Sequence, residues 1–359
     1  MEFEGQDLNC NHLKDLTMQY TTLGNTGLVV SRLSFGAMTF TAGDRSFATI
    51  YKTEAADANA MIDRALDAGI NFFDTADAYA GGESEIMLGR ALKKRRPEVV
   101  ITTKVGNRTG PGLVQAGLSR RHILWSIDQS LKRLDTDFVD VYLAHKEDPH
   151  TPLEETLAAL DEVVRAGKAR YIGWSNWQAW KVAAAMELQK ANGWAPFTHG
   201  QMTYSLLVRD IERDMIPMTE RYGLGLTIWS PLVSGFLSGK YTRENLSDKD
   251  NRMSGFDIMP FDKEFGFRLV DRLRDIAGGH GASVAQVAIA WLLAKKAVTS
   301  VIVGASKRHQ LDDNLAAADL RLTVEEIRAL DDFTKPAAVY PNWFGELVLD
   351  GPVKEALKR

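Results

Sequence analysis

Short apolar segments alternate with helical patterns along most of this chain, and this alternation constrains the fold more than any other feature. Eight of the segments are apolar on both faces, and the stretches between them are long enough for helical crossovers. They lie at residues 33–35, 71–73, 99–103, 138–144, 169–174, 198–202, 225–229 and 301–303. Strands of this kind are typical of a parallel sheet. Eight of them close into a barrel, so the sequence predicts an α/β fold, a (β/α)8 TIM barrel.

The start of the chain predicts a separate small element. Two apolar segments between Tyr20 and Phe35 flank Gly24-Asn25-Thr26-Gly27, a stretch that suits a tight reversal. We interpret it as a β-hairpin that caps the amino-terminal mouth of the barrel. Because no Pro- or Ser-rich linker divides the chain, we expect one domain over residues 18–359, with extra carboxyl-terminal helices and a tail. Residues 1–17 are expected to form a mobile extension.

Composition argues against several functional classes. The formal net charge of -4 lacks the basic excess that attracts nucleic acid. No apolar run approaches the roughly 18 residues needed to cross a bilayer, and the first 17 residues lack the order of a signal peptide. The single cysteine, Cys10, cannot form an internal disulfide. We therefore expect a cytoplasmic protein without nucleic-acid or membrane partners. The histidines show no ligand spacing, so no metal is expected, and the oligomeric state stays open.

Four polar residues stand near the ends of successive predicted strands. Asp74 follows the second strand, Lys104 the third and His145 the fourth, while Tyr79 lies on the loop after the second. In a barrel these ends share one mouth. A phenol is a poor proton donor at neutral pH unless its phenolate is stabilised, which a neighbouring ammonium does by charge. An acid keeps that ammonium charged, and an imidazole adds a hydrogen bond to the reacting group. Each residue alone has a structural explanation, but together they favour a catalytic cluster.

Several motifs in this order make the chain resemble the aldo-keto reductases. The matching stretches are Gly69 to Tyr79, Ile101 to Gly106, Asp140 to His145, Gly173 to Asn176, Trp229 to Leu232, and Val303 to Ser306 with Gln310 and Asn314. The resemblance covers nearly all of residues 20–335. It is strongest to the bacterial-type branch that is similar to potassium-channel β subunits.

The resemblance implies both a reaction and a cofactor. In such reductases NADPH lies extended across the barrel mouth, so no Gly-rich dinucleotide fingerprint is needed, and none follows a strand here. Tyr79 would protonate the carbonyl oxygen of an aldehyde or ketone, which is reduced to an alcohol. Lys104 and Asp74 would tune that phenol, and His145 would orient the carbonyl.

The resemblance also implies contacts to each part of the cofactor. Ser175, Asn176 and Gln201 would grip the nicotinamide carboxamide, and Tyr204 would stack on the nicotinamide face. The pyrophosphate loop and the adenine side would use Trp229, Ser230, Pro231, Leu232, Gly235, Lys240 and Arg252, followed by Gly304, Ser306, Lys307, Gln310, Asp313 and Asn314. Gln310 replaces an arginine common in strictly NADPH-dependent branches, and Asp313 replaces a glutamate. NADH therefore stays open as the alternative cofactor.

Two other functions are compatible with parts of this pattern. One is a regulatory subunit that binds the nicotinamide cofactor with little turnover, as the likeness to channel β subunits suggests. The other is a barrel hydrolase or aldolase that uses Lys104 as a Schiff base, which we disfavour because an adjacent acid would keep the lysine charged. Substrate choice is expected to depend on loops 37–52 and 106–117 and on the carboxyl-terminal tail, with its aromatic residues Tyr340, Trp343 and Phe344.

Overall fold

The structure is a computed structural model, and it describes residues 18–44, 46–248, 251–255, 257–348 and 350–357. The predicted extension at residues 1–17 and Cys10 lie outside the described residues.

Eight parallel strands form a closed barrel, which confirms the predicted fold. Neighbouring strands follow one another in chain order, and the last strand pairs with both the first and the seventh of the barrel. The barrel strands are β3 (Leu33–Gly36), β4 (Phe72–Asp74), β5 (Val100–Val105), β6 (Val139–Ala144), β7 (Ala169–Ser175), β8 (Phe197–Thr203), β9 (Gly225–Trp229) and β10 (Ser300–Val303). Because they are parallel, all eight carboxyl ends open at one mouth.

The predicted hairpin is present and covers the opposite end of the barrel. Strands β1 (Tyr20–Thr22) and β2 (Val29–Ser31) pair antiparallel. Leu23 and Val30 are fully buried, and they form one apolar cluster with side chains from inside the barrel. The barrel members of that cluster are Phe72, Val100, Val141 and Leu143. The hairpin therefore closes the barrel at its amino-terminal end.

Helices surround the barrel, and the main core lies between them and the outward faces of the strands. In the described ranges no single helix is long and apolar enough to cross a bilayer; α8 and α9 reach that length and composition only as a pair bent by 90°. The helices are α1 (Ala55–Asp67), α2 (Glu83–Leu92), α3 (Arg120–Leu134), α4 (Leu153–Arg165), α5 (Ala179–Asn192), α6 (Met215–Tyr222), α7 (Arg252–Gly255), α8 (Lys263–His280), α9 (Val284–Leu293), α10 (Arg308–Ala316), α11 (Val324–Phe333), α12 (Asn342–Leu347) and α13 (Gly351–Ala356).

The amino-terminal ends of α3 and α1 show whether a residue type that suits a helix cap acts as one. Ser119 caps α3, because its side chain accepts a hydrogen bond from the backbone N–H of His122. Thr53 has a residue type that suits a helix cap, but it does not cap α1. Its hydroxyl donates instead to the hydroxyl of Thr39, 3.0 Å away in the same loop, and the helix begins after Glu54.

Candidate active site

Lys104 is the centre of the polar cluster at the mouth of the barrel. It lies on β5 and is fully buried, as Asp74 at the end of β4 nearly is. Its ammonium nitrogen is 2.6 Å from Oδ1 of Asp74, 2.7 Å from the backbone oxygen of Thr75 and 3.4 Å from the hydroxyl of Tyr79. Burial lowers the pKa of Lys104, but the charges of Asp74 and Tyr79 raise it more, so the net shift is upward. The ammonium therefore stays charged.

Tyr79 begins a short 3-10 turn after β4 and is partly buried. Burial raises the pKa of the Tyr79 phenol. The charge of Lys104 lowers this pKa and the charge of Asp74 raises it, and the net shift is upward. The ammonium of Lys104 also lies 5.0 Å from the centre of the phenol ring. Tyr79 is therefore a neutral phenol at pH 7, next to a cation that stabilises the phenolate formed when its proton leaves.

His145 meets the ring of Tyr79 edge to face, with 5.7 Å between the ring centres. Burial and the charges of Lys104 and Lys146 hold the pKa of His145 well below its usual range, so the imidazole is neutral at pH 7. Its Nδ1 lies 3.0 Å from the amide nitrogen of Asn107, which can only donate. With this assignment of the amide, Nδ1 accepts and Nε2 carries the proton. The structure thus brings the four predicted residues together and adds Asn107, which the sequence reading did not single out.

A second acid lies close behind this cluster. Asp77 is 2% exposed, and within the described residues neither carboxyl oxygen has a side-chain hydrogen-bond partner. Burial raises the pKa of Asp77 well above its ordinary value, the charge of Glu85 raises it further, and Arg133 opposes both. Asp77 therefore keeps its proton at a pH at which the unfolded chain has lost it, and folding costs more free energy as the pH rises.

The substitution Asp77→Asn tests this cost. Since the folded-state pKa exceeds the unfolded one, wild-type stability should fall as the pH rises above about 4, whereas the variant lacks this loss. We expect the variant to gain about 1.4 kcal/mol over wild type for each pH unit between the two pKa values. Urea unfolding from pH 4 to 8 measures it, with the exposed Asp271→Asn as a control for the substitution itself. A gain that shrinks as the pH rises would mean that Asp77 is ionised in the folded protein.

The three residues expected around the nicotinamide carboxamide form one hydrogen-bonded group, in which Oγ of Ser175 donates to the backbone oxygen of Gln201 at 2.8 Å. The amide nitrogen of Asn176 donates to the backbone oxygen of His145 (3.1 Å) and to Oγ of Ser175 (2.9 Å), and its oxygen accepts from the indole N–H of Trp229 (3.0 Å). Asn176 has a left-handed φ of 57°, which exposes its side chain at the strand end. The amide of Gln201 reaches across the barrel and donates to Oδ2 of Asp74 at 2.7 Å. Gln201 thus holds Asp74 from the side opposite Lys104.

The structure encloses Tyr204, the residue expected to stack on the nicotinamide face. Its side chain is 1% exposed, and its ring packs on Trp291 of α9 with 5.3 Å between the ring centres. Its hydroxyl donates to Glu212 at 2.5 Å. A ring enclosed in this way has no open face on which a nicotinamide could stack. The partly exposed Trp229, at the mouth and hydrogen-bonded to Asn176, is the better-placed aromatic residue.

The turn after β9 has a strained backbone. Ser230, Val233 and Ser234 all have left-handed φ angles, of 54°, 49° and 53°, and for the β-branched Val233 this is a rare conformation. Gly235 follows with a φ of 88°, and a Cβ there would stand 3.1 Å from Nζ of Lys240. Strain of this kind is typical of ligand-binding loops. The expected residues Pro231 and Leu232 lie inside the same turn.

Four cations gather beside this turn. Partial burial lowers the pKa of Lys240, and the charges of Arg252, Lys52 and Lys307 lower it further. Three of the four were expected from the sequence. Lys52 was not, because it lies in loop 37–52, which we call the first mouth loop, and no motif marks it there. Like charges brought together this way favour an anionic ligand.

The residues expected on the adenine side lie around the start of α10, and most of them bond to one another. The side-chain oxygen of Gln310 accepts from the backbone N–H and from the hydroxyl of Ser306, at 3.2 and 3.3 Å. Asn314 is buried, and its amide is 3.5 Å from the backbone oxygen of Gly304. Asp313 instead accepts from Ser283 and Gln286 at the start of α9, at 2.9 and 2.7 Å, so both its oxygens are already engaged.

The carboxylate of Glu83 holds the first mouth loop against the start of α2. Glu83, the first residue of α2, accepts hydrogen bonds from the hydroxyl of Thr41 (2.8 Å) and from the backbone N–H groups of Ala42 (2.6 Å) and Asp44 (3.4 Å). Because α2 follows Tyr79 directly, this carboxylate links the loop to the segment that carries the phenol. The tail aromatics Tyr340, Trp343 and Phe344 contact one another and are largely exposed.

Comparisons with known proteins agree with this geometry. A family model described as the aldo/keto reductase family matches residues 32–335. The chain is similar to a probable voltage-gated potassium channel subunit beta of Oryza sativa subsp. japonica, with 39% identity over 84% of this chain and 92% of that protein. It is 36% identical to versiconal hemiacetal acetate reductase of Aspergillus parasiticus, over 90% and 99% of the two chains. It is 33% identical to L-glyceraldehyde 3-phosphate reductase of Escherichia coli O157:H7, over 88% and 92%.

Proposed function

The chain belongs to the aldo/keto reductase family, and from this premise we propose that it is an NADPH-dependent reductase in which Tyr79 gives the proton. The family assignment makes it an oxidoreductase that uses a nicotinamide cofactor and acts on small carbonyl compounds. The choice of NADPH and the role of Tyr79 are our proposals. The substrate is an aldehyde or ketone, and the product is the corresponding alcohol.

The contacts of Lys104 with Asp74 and Tyr79 give this proposal its main support. The buried ammonium of Lys104 lies 2.6 Å from the carboxylate of Asp74 and 3.4 Å from the hydroxyl of Tyr79. A phenol, an ammonium and a carboxylate in this order make a proton donor whose conjugate base is stabilised by charge. Asp74 balances the charge of the buried lysine, so the ammonium persists in a place where it would otherwise lose its proton.

The side chains divide the work of carbonyl reduction among them. A bound reduced nicotinamide supplies a hydride to the carbonyl carbon. The Nε2–H of His145 donates a hydrogen bond to the carbonyl oxygen and fixes its direction. Tyr79 then transfers its phenolic proton to that oxygen, and the charge of Lys104 stabilises the phenolate that remains. Asn107 keeps the imidazole in the tautomer that can donate.

The residues around the mouth fit a nicotinamide cofactor. Asn176 is exposed at the mouth, and its amide oxygen, which accepts one hydrogen bond from Trp229, can accept a second from a carboxamide N–H. The four cations beside the strained turn suit the pyrophosphate and the additional 2'-phosphate of NADPH. Lys307 stands directly before α10, whose amino terminus adds favourable partial charge for a phosphate. These features support NADPH over NADH.

The proposal is tested by binding and turnover together. Protein fluorescence measures NADPH and NADH affinity, and the oxidation of NADPH is then followed with a panel of aldehydes and ketones. We expect tighter binding of NADPH and turnover of at least one carbonyl class. Tight binding with no turnover on any carbonyl compound would contradict the reductase proposal.

Lys307→Met tests the contact to the 2'-phosphate. We expect it to raise the Kd for NADPH by about 10-fold, which corresponds to the loss of one charge-assisted hydrogen bond of about 1.4 kcal/mol. The Kd for NADH should change little, because NADH lacks that phosphate. The exposed Lys94→Met serves as a matched control and should change neither Kd. Equal losses for the two cofactors would place Lys307 at the pyrophosphate instead.

The second candidate is a regulatory subunit that binds the cofactor with little turnover. The likeness to proteins named probable voltage-gated potassium channel subunit beta, from Oryza sativa and Arabidopsis thaliana, favours it. Against it stands the complete cluster of phenol, ammonium, carboxylate and imidazole, which binding alone does not require. The turnover measurement described above separates the two functions.

A further inference from the structure

The barrel interior can be divided into layers from the strand register. Side chains that point into an eight-stranded barrel stack in layers of four, each supplied by alternate strands. We start at Ser34, move to the paired residue of each neighbouring strand in turn, and step one residue toward the carboxyl end each time. After eight strands the path returns to Ser34, as a closed barrel of this type requires. The layer beneath Lys104 contains Asp74, Leu143, Gln201 and Ile302. The next layer down contains Ser34, Thr102, Gly173 and Thr227.

This lower layer is made of unusually small residues. Barrel interiors are normally filled by bulky branched side chains such as Val, Ile and Leu. Here Ser34, Thr102 and Thr227 supply hydroxyl groups, and Gly173 supplies no side chain at all. All three hydroxyl residues are buried, with exposures of 1% or less. The centre of the barrel directly below Asp74 is therefore lined by hydroxyl groups, and Gly173 lets the backbone of His199 and the side chain of Leu143 approach closely.

Among the described residues, three buried polar atoms in this layer and the one beneath it lack a hydrogen-bond partner. The hydroxyl of Thr227 donates to the backbone oxygen of Gly200 at 3.3 Å. In contrast, Oγ of Ser34, Oγ1 of Thr102 and Nε2 of His199, in the layer beneath, have no hydrogen-bond partner among the described residues. A buried polar atom left unpaired costs about 1–3 kcal/mol, and three in one place call for a common explanation.

We propose that the barrel holds an internal water site between Ser34, Thr102 and His199. Three hydrogen bonds are the number that a buried water typically makes in a protein. Both hydroxyl groups can donate or accept, so one water satisfies them together with the ring nitrogen. The site is distinct from the mouth, since the layer of Asp74 and Gln201 separates the two.

The charges around the site favour a neutral ligand. Burial and the charge of Lys104 lower the pKa of His199 to about 3, so its ring carries no charge at pH 7. The two hydroxyl groups are also neutral, and Asp74 in the layer above is balanced by Lys104. An ion here would meet no opposite charge, whereas water requires none.

Thr102→Val and Thr227→Val provide a matched pair. Each replaces a hydroxyl by a methyl group in the same layer, but only Thr102 belongs to the proposed site. A high-resolution crystal structure of the wild type should show an ordered water within hydrogen-bond distance of all three atoms. That water should persist in Thr227→Val and disappear in Thr102→Val. A wild-type barrel without this water would overturn the proposal.

The sign of the stability change gives a second measurement. If water occupies the site, Thr102→Val removes a partner of that water and lowers the urea midpoint. If the site is dry, the same change removes an unpaired buried hydroxyl and raises the midpoint. Should Thr102→Val fail to fold, Ser34→Ala tests the same water from the other side. We expect a lowered midpoint, and a raised midpoint in either variant would contradict the water site.

Discussion

Tyr79→Phe should retain cofactor binding and lose nearly all carbonyl reduction. The substitution removes one hydroxyl and keeps the ring that meets His145 edge to face. General acid catalysis by a placed side chain is worth about 10²–10⁴-fold, so kcat should fall at least about 100-fold. The Kd for NADPH, measured by fluorescence, should stay within about twofold of wild type, since a 0.4 kcal/mol change corresponds to that factor.

A neighbouring phenol makes the test specific. Tyr51 is buried in the first mouth loop and close enough for its charge to affect the pKa of Tyr79. Tyr51→Phe should keep most of the rate, because we assign it no proton transfer. If Tyr79→Phe retained the wild-type rate, or if Tyr51→Phe abolished it, the assignment of the proton donor would be wrong.

Lys104→Met should damage both the rate and the fold. The change leaves the carboxylate of Asp74 buried without its cation, with the amide of Gln201 as a remaining donor. Removing one partner of a buried ion pair costs about 3–5 kcal/mol of folding stability. The rate should also collapse, because nothing would then stabilise the phenolate of Tyr79. Urea unfolding and steady-state turnover measure the two effects separately.

The double variant Asp74→Asn/Lys104→Met separates these two roles. It removes both charges, so most of the lost stability should return. The rate should stay low, because the double variant still lacks the ammonium beside Tyr79. Recovery of the rate together with stability would mean that Lys104 acts only as a structural residue, which would contradict the proposed mechanism.

The fold was largely predictable because its signal is repeated. Each of the eight strands has an apolar run followed by a helical pattern, and eight parallel strands that alternate with helices favour a closed barrel. The hydrogen-bond partner of a single side chain was harder to predict, because several groups compete for it. Thr53 has the right residue type for a helix cap, yet its hydroxyl bonds to Thr39, a residue of the same loop. Only the folded loop decides between these two partners.

The site was predictable where residues follow strands and less so elsewhere. Asp74, Lys104 and His145 stand at or just beyond strand ends, so the parallel barrel brings them to one mouth. Tyr204 also follows a strand, but Trp291, far along the chain, covers its ring. Lys52 lies near the other three cations because of how the first mouth loop folds, and no sequence motif marks that loop. Such placements depend on tertiary contacts that residue spacing does not contain.

The hairpin of β1 and β2 has a consequence for kinetics. Since it seals one end of the barrel with Leu23 and Val30, cofactor and carbonyl compound must share the single remaining opening. The molecule that binds deeper in the mouth must therefore bind first and dissociate last. If the cofactor binds across the mouth beneath the carbonyl compound, as the family resemblance implies, we expect a compulsory order of binding and release. Product inhibition patterns would then be competitive only between the oxidised and reduced forms of the cofactor.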